Sequence, residues 1–184
     1  MLHVGDSFAD ALGGALRVEL EREGIRAINR AKTGSYIPEW AGIRSDVPAL
    51  VKVHNPDLVI ITLGGNELKL RDPASRAEAI RRLVGFVGDR PCVWVAPSLW
   101  KSAQNALITE TGLLQVIRDN AKPCRYFDTN AIVPNLERTG DHVHPSIPAR
   151  RIWARAFVEW LEHERDPAGS RPWQLRPEEG GDPQ

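Results

Sequence analysis

A chain of 184 residues has the size of a single domain and is long enough to bury a hydrophobic core. Its 42% hydrophobic and 26% charged residues are typical of a globular protein. The 24 basic residues balance the 24 acidic ones, so the charge gives no reason to expect a nucleic-acid partner or an acidic membrane surface. The longest apolar runs are far too short to span a bilayer, so no transmembrane segment is expected.

Five short runs have the apolar, β-branched character of strands, and helical patterns lie between them. In chain order the predicted strands are residues 1–4, 25–29, 58–63, 92–96 and 124–128. The predicted helices are residues 8–23, 45–54, 77–87, 111–120 and 148–164. This alternation predicts an α/β fold, in which helices cover both faces of a five-stranded parallel sheet.

The folded part of the chain is predicted to be one domain, residues 1–165. Residues 166–184 are rich in proline, glycine and charge, and we expect them to form a mostly disordered tail. Polar and aromatic residues come just after predicted strands, at the sheet edge where parallel α/β folds bind ligands. The residues expected at this edge are Ser7, Gly34, Asn66, Trp100, Asp141 and His144.

The run Gly5-Asp6-Ser7 lies between the first predicted strand and the first predicted helix. A serine at such a turn is exposed at the sheet edge beside free backbone N–H groups. Taken alone, Asp-Ser before a helix is equally an ordinary helix cap. A serine hydroxyl needs a base to become a nucleophile, and the far end of the chain offers His144 with an acid, Asp141, three residues before it.

Four blocks in this order resemble the SGNH (GDSL-type) hydrolase family, along roughly residues 1–161. The blocks are Gly5-Asp6-Ser7, Asn29-Arg30-Ala31-Lys32-Thr33-Gly34, Gly64-Gly65-Asn66-Glu67 and Asp141-His142-Val143-His144. The departures are small: Phe8 follows the serine, the second block is loose, and Glu67 stands where aspartate is commoner. The resemblance implies a flavodoxin-like, three-layer α/β/α sandwich.

The same resemblance assigns a role to each block. Ser7 is the expected nucleophile, His144 the base, and Asp141 the acid that fixes the imidazole tautomer. The oxyanion would be held by the N–H groups of Ser7 and Gly34 and by the side-chain amide of Asn66. This chemistry requires no metal and no cofactor.

Several of these residues also have simpler interpretations. Asn66 after two glycines is a common turn residue, and Gly34 is a typical turn glycine. Trp40 and Trp100 either line a pocket for an acyl group or a sugar, or pack over the core. His142 is a loop side chain in this interpretation, because it lies one residue after the acid instead of three.

The sequence therefore predicts a serine esterase that hydrolyses short-chain acyl esters, including O-acetyl groups on carbohydrate, through an acyl-serine intermediate. Two alternatives remain. One is an O-acyltransferase with the same triad that acts on a glycan, and the other is a catalytically idle module that binds acylated glycans. The expected partner is a small-molecule or carbohydrate ester, and the oligomeric state is left open.

Two cysteines, Cys92 and Cys124, each follow a proline and each open a predicted strand. Equivalent positions on neighbouring parallel strands are close to the separation that a disulfide needs. Two free buried thiols are the alternative. A disulfide would favour a secreted or cell-envelope protein, and free thiols a cytoplasmic one.

Overall fold

The computed structural model describes residues 1–100 and 112–177. Within them, five strands form one parallel sheet. The strands are Leu2–Gly5 (β1), Ile28–Ala31 (β2), Val59–Thr62 (β3), Cys92–Val95 (β4) and Arg125–Phe127 (β5). Their order across the sheet, β2-β1-β3-β4-β5, is the flavodoxin-like order. The predicted fold class is confirmed.

Helices connect the strands on both faces of the sheet. The α-helices of the described residues are Ser7–Arg22 (α1), Ile37–Ala41 (α2), Val47–His54 (α3), Ala77–Gly85 (α4), Leu113–Asn120 (α5), Thr129–Ile132 (α6) and Ile147–Glu164 (α7). Two 3₁₀ turns, Gly65–Glu67 and Pro73–Arg76, follow β3. Among the described residues, no helix has the length and apolar character needed to cross a bilayer.

Separate hydrophobic cores fill the two faces of the sheet. On one face, Val59 and Ile61 of β3 and Trp94 of β4 pack with residues from α2, α3, α4 and α5. On the other face, α1 and α7 lie over Ile60, and the aromatic residue Trp153 is fully buried there. This arrangement explains why β3 is β-branched and almost entirely apolar: its residues are buried on both faces of the sheet.

The second strand begins later than the sequence predicts. The N–H of Ile25 donates to the carbonyl of Leu20, so residues around Gly24 close the end of α1 instead of starting a strand. Pairing with β1 then starts at Ile28, opposite Leu2. The shift places the 32–35 turn directly beyond the end of β2.

A disulfide joins Cys92 to Cys124, with their Cα atoms 4.6 Å apart. Of the two alternatives that the sequence left open, the structure has the bridged one. It lies where β4 and β5 begin, whereas Ser7 lies just beyond the end of β1. Because the strands are parallel, the disulfide is at the opposite edge of the sheet from the candidate site.

Residues 166–177 differ from the disordered tail expected for residues 166–184. The N–H of Asp166 donates to the carbonyl of Gln174 and the N–H of Arg176 to that of Glu164, both at 2.8 Å. Trp173 is buried, and the Arg165 guanidinium stacks on its ring at 4.7 Å. Trp173, with Leu175 packed against the same core, thus anchors a run that is otherwise rich in proline and polar residues. Residues 178–184, the rest of the predicted tail, lie outside the described residues, as do residues 101–111 of the loop after β4.

Candidate active site

The turn that carries Ser7 is formed by a close approach of two strands. A Cβ atom on Gly5 would lie 1.9 Å from the carbonyl oxygen of Thr62, so only glycine fits where β1 ends against β3. The next N–H, that of Asp6, donates to the same Thr62 oxygen at 3.2 Å. Ser7 is then the first residue of α1, half-buried at the carboxyl edge of the sheet.

Asp6 is fully buried and connects this turn to the loop after β3. One oxygen of its carboxylate accepts the N–H of Phe8 at 2.8 Å and caps α1. The other oxygen accepts the N–H groups of Gly64 at 3.2 Å and Gly65 at 3.0 Å. Burial raises the pKa of Asp6 to about 6, although these backbone hydrogen bonds act in the opposite direction.

His144 lies between Ser7 and Asp141. Its Nε2 is 2.8 Å from Oγ of Ser7, and its Nδ1 is 2.7 Å from Oδ2 of Asp141. An ionised carboxylate can only accept, so Nδ1 carries the proton and Nε2 is left to accept from the serine hydroxyl. The sequence-predicted Ser7, His144 and Asp141 are therefore brought together in one hydrogen-bonded chain.

Asp141 is held in its ionised form by donors on its own loop. Its Oδ1 accepts the hydroxyl of Thr139 at 2.7 Å and the N–H groups of Val143 and His144, each at 2.9 Å. The Thr139 hydroxyl and the His144 ring, followed by the two backbone N–H groups, hold the pKa of Asp141 far below its usual value. His142, in the left-handed conformation with φ 59°, is exposed and turns the chain between acid and base.

Arg138 fastens this loop to the segment after β4, a contact that the sequence did not suggest. Its guanidinium donates to Oγ of Ser98 at 2.8 Å, to the carbonyl of Val143 at 3.0 Å and to the carbonyl of Leu99. Burial of the guanidinium lowers the pKa of Arg138. The residue before His144 is thus fixed by a charged donor, which restrains where the imidazole can lie.

Aromatic rings pack beside the imidazole. The ring of Phe8 lies 5.5 Å from the ring of His144 and 5.8 Å from that of Trp100, measured between centroids. Trp40, the other tryptophan considered for a pocket, is buried and donates from Nε1 to Oγ of Ser35 at 2.7 Å. Trp40 therefore packs beneath the 32–35 turn, while Trp100 stacks on Phe8, which also lies against the His144 ring.

The two remaining oxyanion candidates lie on loops that touch each other. Asn66 is exposed in the 3₁₀ turn after β3, and its Nδ2 donates to the carbonyl of Ser35 at 2.9 Å. Gly34, with φ 76°, is the exposed neighbour of Ser35 in the 32–35 turn. The side-chain amide of Asn66 has a second N–H, and the backbone N–H of Ser7 heads α1 beside the same edge of the sheet.

No model of a protein family matches the sequence, and no curated protein matches it. Solved structures do match. TesA has 22% identity and a TM-score of 0.69, and the match covers 88% of this chain and 97% of TesA.

Two further structures agree with this match. A member of the lipolytic protein G-D-S-L family from Veillonella parvula has 12% identity and a TM-score of 0.62, with 88% of this chain and 97% of that one covered. The psychrotrophic esterase EstA from a Pseudoalteromonas species has 19% identity and a TM-score of 0.62, with 88% and 96% covered. The chain therefore has the fold of the GDSL-type (SGNH) lipolytic hydrolases. Its Ser–His–Asp hydrogen-bond chain lies at the ligand-binding edge of that fold.

Proposed function

We propose that this protein is a serine esterase of the SGNH type. The observation that carries the proposal is the pair of contacts made by His144, 2.8 Å to the hydroxyl of Ser7 and 2.7 Å to the carboxylate of Asp141. These are the distances at which a base takes a proton from a nucleophile while an acid orients the base. The shared fold of the esterase EstA and the G-D-S-L family member supports the same conclusion.

The reaction begins with attack by Oγ of Ser7 on the ester carbonyl carbon. As that bond forms, the hydroxyl proton passes to Nε2 of His144, and the positive imidazolium is stabilised by Asp141. The carbonyl oxygen becomes an oxyanion that accepts hydrogen bonds from the N–H groups of Ser7 and Gly34 and from the amide of Asn66. The C–O bond then breaks, and His144 returns the proton to the leaving alcohol.

Hydrolysis of the acyl-serine repeats these steps with water. His144 takes a proton from water as its oxygen attacks the acyl carbon, the bond to Oγ of Ser7 breaks, and the serine recovers its proton from the imidazolium. The products are the carboxylic acid and the free enzyme. Within the ester class we propose short acyl groups, including O-acetyl groups on carbohydrate. Support for this finer assignment comes from the sequence resemblance.

A fluorophosphonate probe tests the nucleophile directly. Ser7 should be the modified residue, and Ser7→Ala should abolish both labelling and the release of p-nitrophenol from acetyl, butyryl and octanoyl esters. His142→Asn is the matched control, because it keeps a residue that tolerates the left-handed backbone beside the loop and leaves His144 in place. Full esterase activity in Ser7→Ala would refute the proposal, and the acyl series reports the preferred chain length.

We further propose that the protein works in an oxidising compartment. The support is the buried disulfide between Cys92 and Cys124, because such bonds persist in secreted and envelope proteins and are rare in the cytosol. Alkylation of the protein in cells that produce it naturally, before lysis, should leave both cysteines unmodified. Modification of both would contradict this assignment.

A further inference from the structure

Glu67 is a buried carboxylate next to Asn66, and it joins three segments of the chain. Its Oε2 accepts the N–H of Ile37, the first residue of α2, at 2.8 Å. Its Oε1 accepts Nε of Arg76, which belongs to the 3₁₀ turn Pro73–Arg76. The side chain of Glu67 is only 1% exposed and that of Arg76 is 23% exposed, so this ion pair is largely withdrawn from water.

The neighbouring residue Asn66 makes a second hydrogen bond between the same two loops. Asn66 donates to Ser35, and Glu67 accepts from Ile37, so adjacent residues of one loop bind residues on the other loop that are two positions apart. The second loop also carries Gly34. The two loops that carry the proposed side-chain and backbone oxyanion donors are therefore fastened at two neighbouring points.

A purely structural role does not account well for a charge at this position. A buried ion pair generally contributes little net stability, and an apolar pair of similar volume is often as stable or more so. What a buried carboxylate does supply is two directional acceptors. Both are used here, one on a backbone N–H and one on Arg76.

We propose that Glu67 and Arg76 form a positioning pair for the oxyanion site, which holds Asn66 in fixed relation to the 32–35 turn. The inference rests on the proposed function and deepens it. Neither side chain is a catalytic residue, since each acts through Asn66 and the turn. Arg76 directs one oxygen of Glu67, which leaves the other aligned on Ile37.

A double-mutant cycle separates positioning from general stability. Glu67→Gln keeps the shape of the side chain, but its amide nitrogen cannot accept, so only one of the two contacts can be kept. In the parent background we expect kcat for p-nitrophenyl acetate to fall about tenfold or more with KM nearly unchanged, as for a small displacement of an oxyanion donor. In the Asn66→Ala background the same change should cost less than about twofold, because the positioned amide is gone.

Further variants keep the test decisive if Glu67→Gln folds poorly. Arg76→Met should reproduce the loss of kcat, and Arg76→Lys should restore part of it. Glu78→Gln breaks the exposed ion pair with Arg82 on α4 and serves as the matched control that leaves kcat unchanged. Thermal unfolding is measured for every variant, so that a loss of folded protein is not counted as a loss of turnover.

The outcomes distinguish the inference from the proposed function. Two results would overturn the positioning pair while Ser7→Ala remains inactive. One is an equal fall in kcat for Glu67→Gln with and without Asn66. The other is an unchanged kcat in both Glu67→Gln and Arg76→Met. Activity that persists in Ser7→Ala would overturn the proposed function and this inference with it.

Discussion

At the scale of single residues, Asp6 has the largest structural role of any residue in its block. Its one carboxylate accepts three backbone N–H groups, from Phe8 on α1 and from Gly64 and Gly65 on the loop after β3. The turn of Ser7, the proposed nucleophile, and the loop of Asn66 are thus held to the same buried group. A neutral amide at this position has one acceptor oxygen instead of two, so it cannot accept all three N–H groups.

Asp6→Asn should therefore weaken both turnover and stability. The amide nitrogen can only donate, so at least one of the three N–H groups is left without an acceptor, at a cost of about 1–3 kcal/mol of unfolding free energy. We expect kcat to fall as well, because both loops of the site lose their common anchor. Chemical denaturation and steady-state kinetics measure the two effects. Asp10→Asn, an exposed change on the same helix, is the control, and equal effects from both variants would contradict the role given to Asp6.

Asn66 has a smaller structural role but a larger proposed chemical one. Asn66→Ala removes the side-chain donor and should lower kcat by about 10²–10³-fold, the usual effect of losing one oxyanion donor. Because Asn66 is exposed and has one contact to Ser35, the midpoint of thermal unfolding should change little. A fall confined to KM would show that Asn66 binds substrate without acting on the oxyanion.

At the scale of elements, the disulfide and the candidate site occupy opposite ends of the same strands. Cys92 is the first residue of β4, and Cys124 directly precedes β5. The loops that carry Ser98 and His144 come after these strands end. The lengths of β4 and β5 therefore separate the disulfide from the candidate site. The link should act on the stability of the sheet and leave the reaction unaffected.

Replacing both Cys92 and Cys124 by alanine tests this separation. The two cysteines are 32 positions apart, and for a loop of that size the closure entropy predicts a loss of roughly 3–4 kcal/mol in unfolding free energy. The kcat of the folded variant should stay within about twofold of the parent value, because the Ser7–His144 contact lies beyond the other end of the strands. Urea denaturation gives the first quantity and ester hydrolysis below the unfolding transition gives the second. A large loss of kcat would show that the ends of the sheet are coupled.

The elements were more accessible to sequence reasoning than the contacts between them. β3 is a short β-branched run followed by two glycines and α7 carries an apolar stripe, so both could be located from the sequence pattern. The bond between Glu67 and Ile37 joins positions 30 apart through two turns whose shapes depend on the folded core. The docking of residues 166–177 depends on Trp173 and Leu175, two large apolar residues in a run rich in proline and charge, for which composition gives too weak a signal.

At the scale of the whole molecule, two buried titratable groups give stability opposite dependences on pH. Burial lowers the pKa of His3 to about 3 and raises that of Asp6 to about 6. The unfolded chain binds a proton at His3 more readily than the folded chain does. The stability that neutral His3 contributes is therefore full above about pH 6.5 and is lost as the pH falls. The folded chain binds a proton at Asp6 more readily than the unfolded chain does. The stability that protonated Asp6 contributes is therefore lost as the pH rises through about 6.

Single variants should separate the two dependences. His3→Leu removes one titrating group, so between pH 6.5 and 4 its unfolding free energy should fall less than that of the parent. Thr62 loses its 2.9 Å partner in this variant, which shifts stability at every pH without changing the slope. The loss of unfolding free energy caused by Asp6→Asn should instead grow as the pH falls. Denaturation at several pH values measures both dependences. A His3→Leu profile parallel to that of the parent would show that His3 titrates normally.

The sequence separation of 137 between Ser7 and His144 has a consequence for the protein while it is being made. The serine leaves the ribosome before the imidazole that would activate it, which follows only after the five described strands have been synthesised, and α7 must still pack against α1. A nascent or prematurely terminated chain therefore has a hydroxyl but no base. The proposed esterase activity can arise only from chains whose synthesis has passed His144.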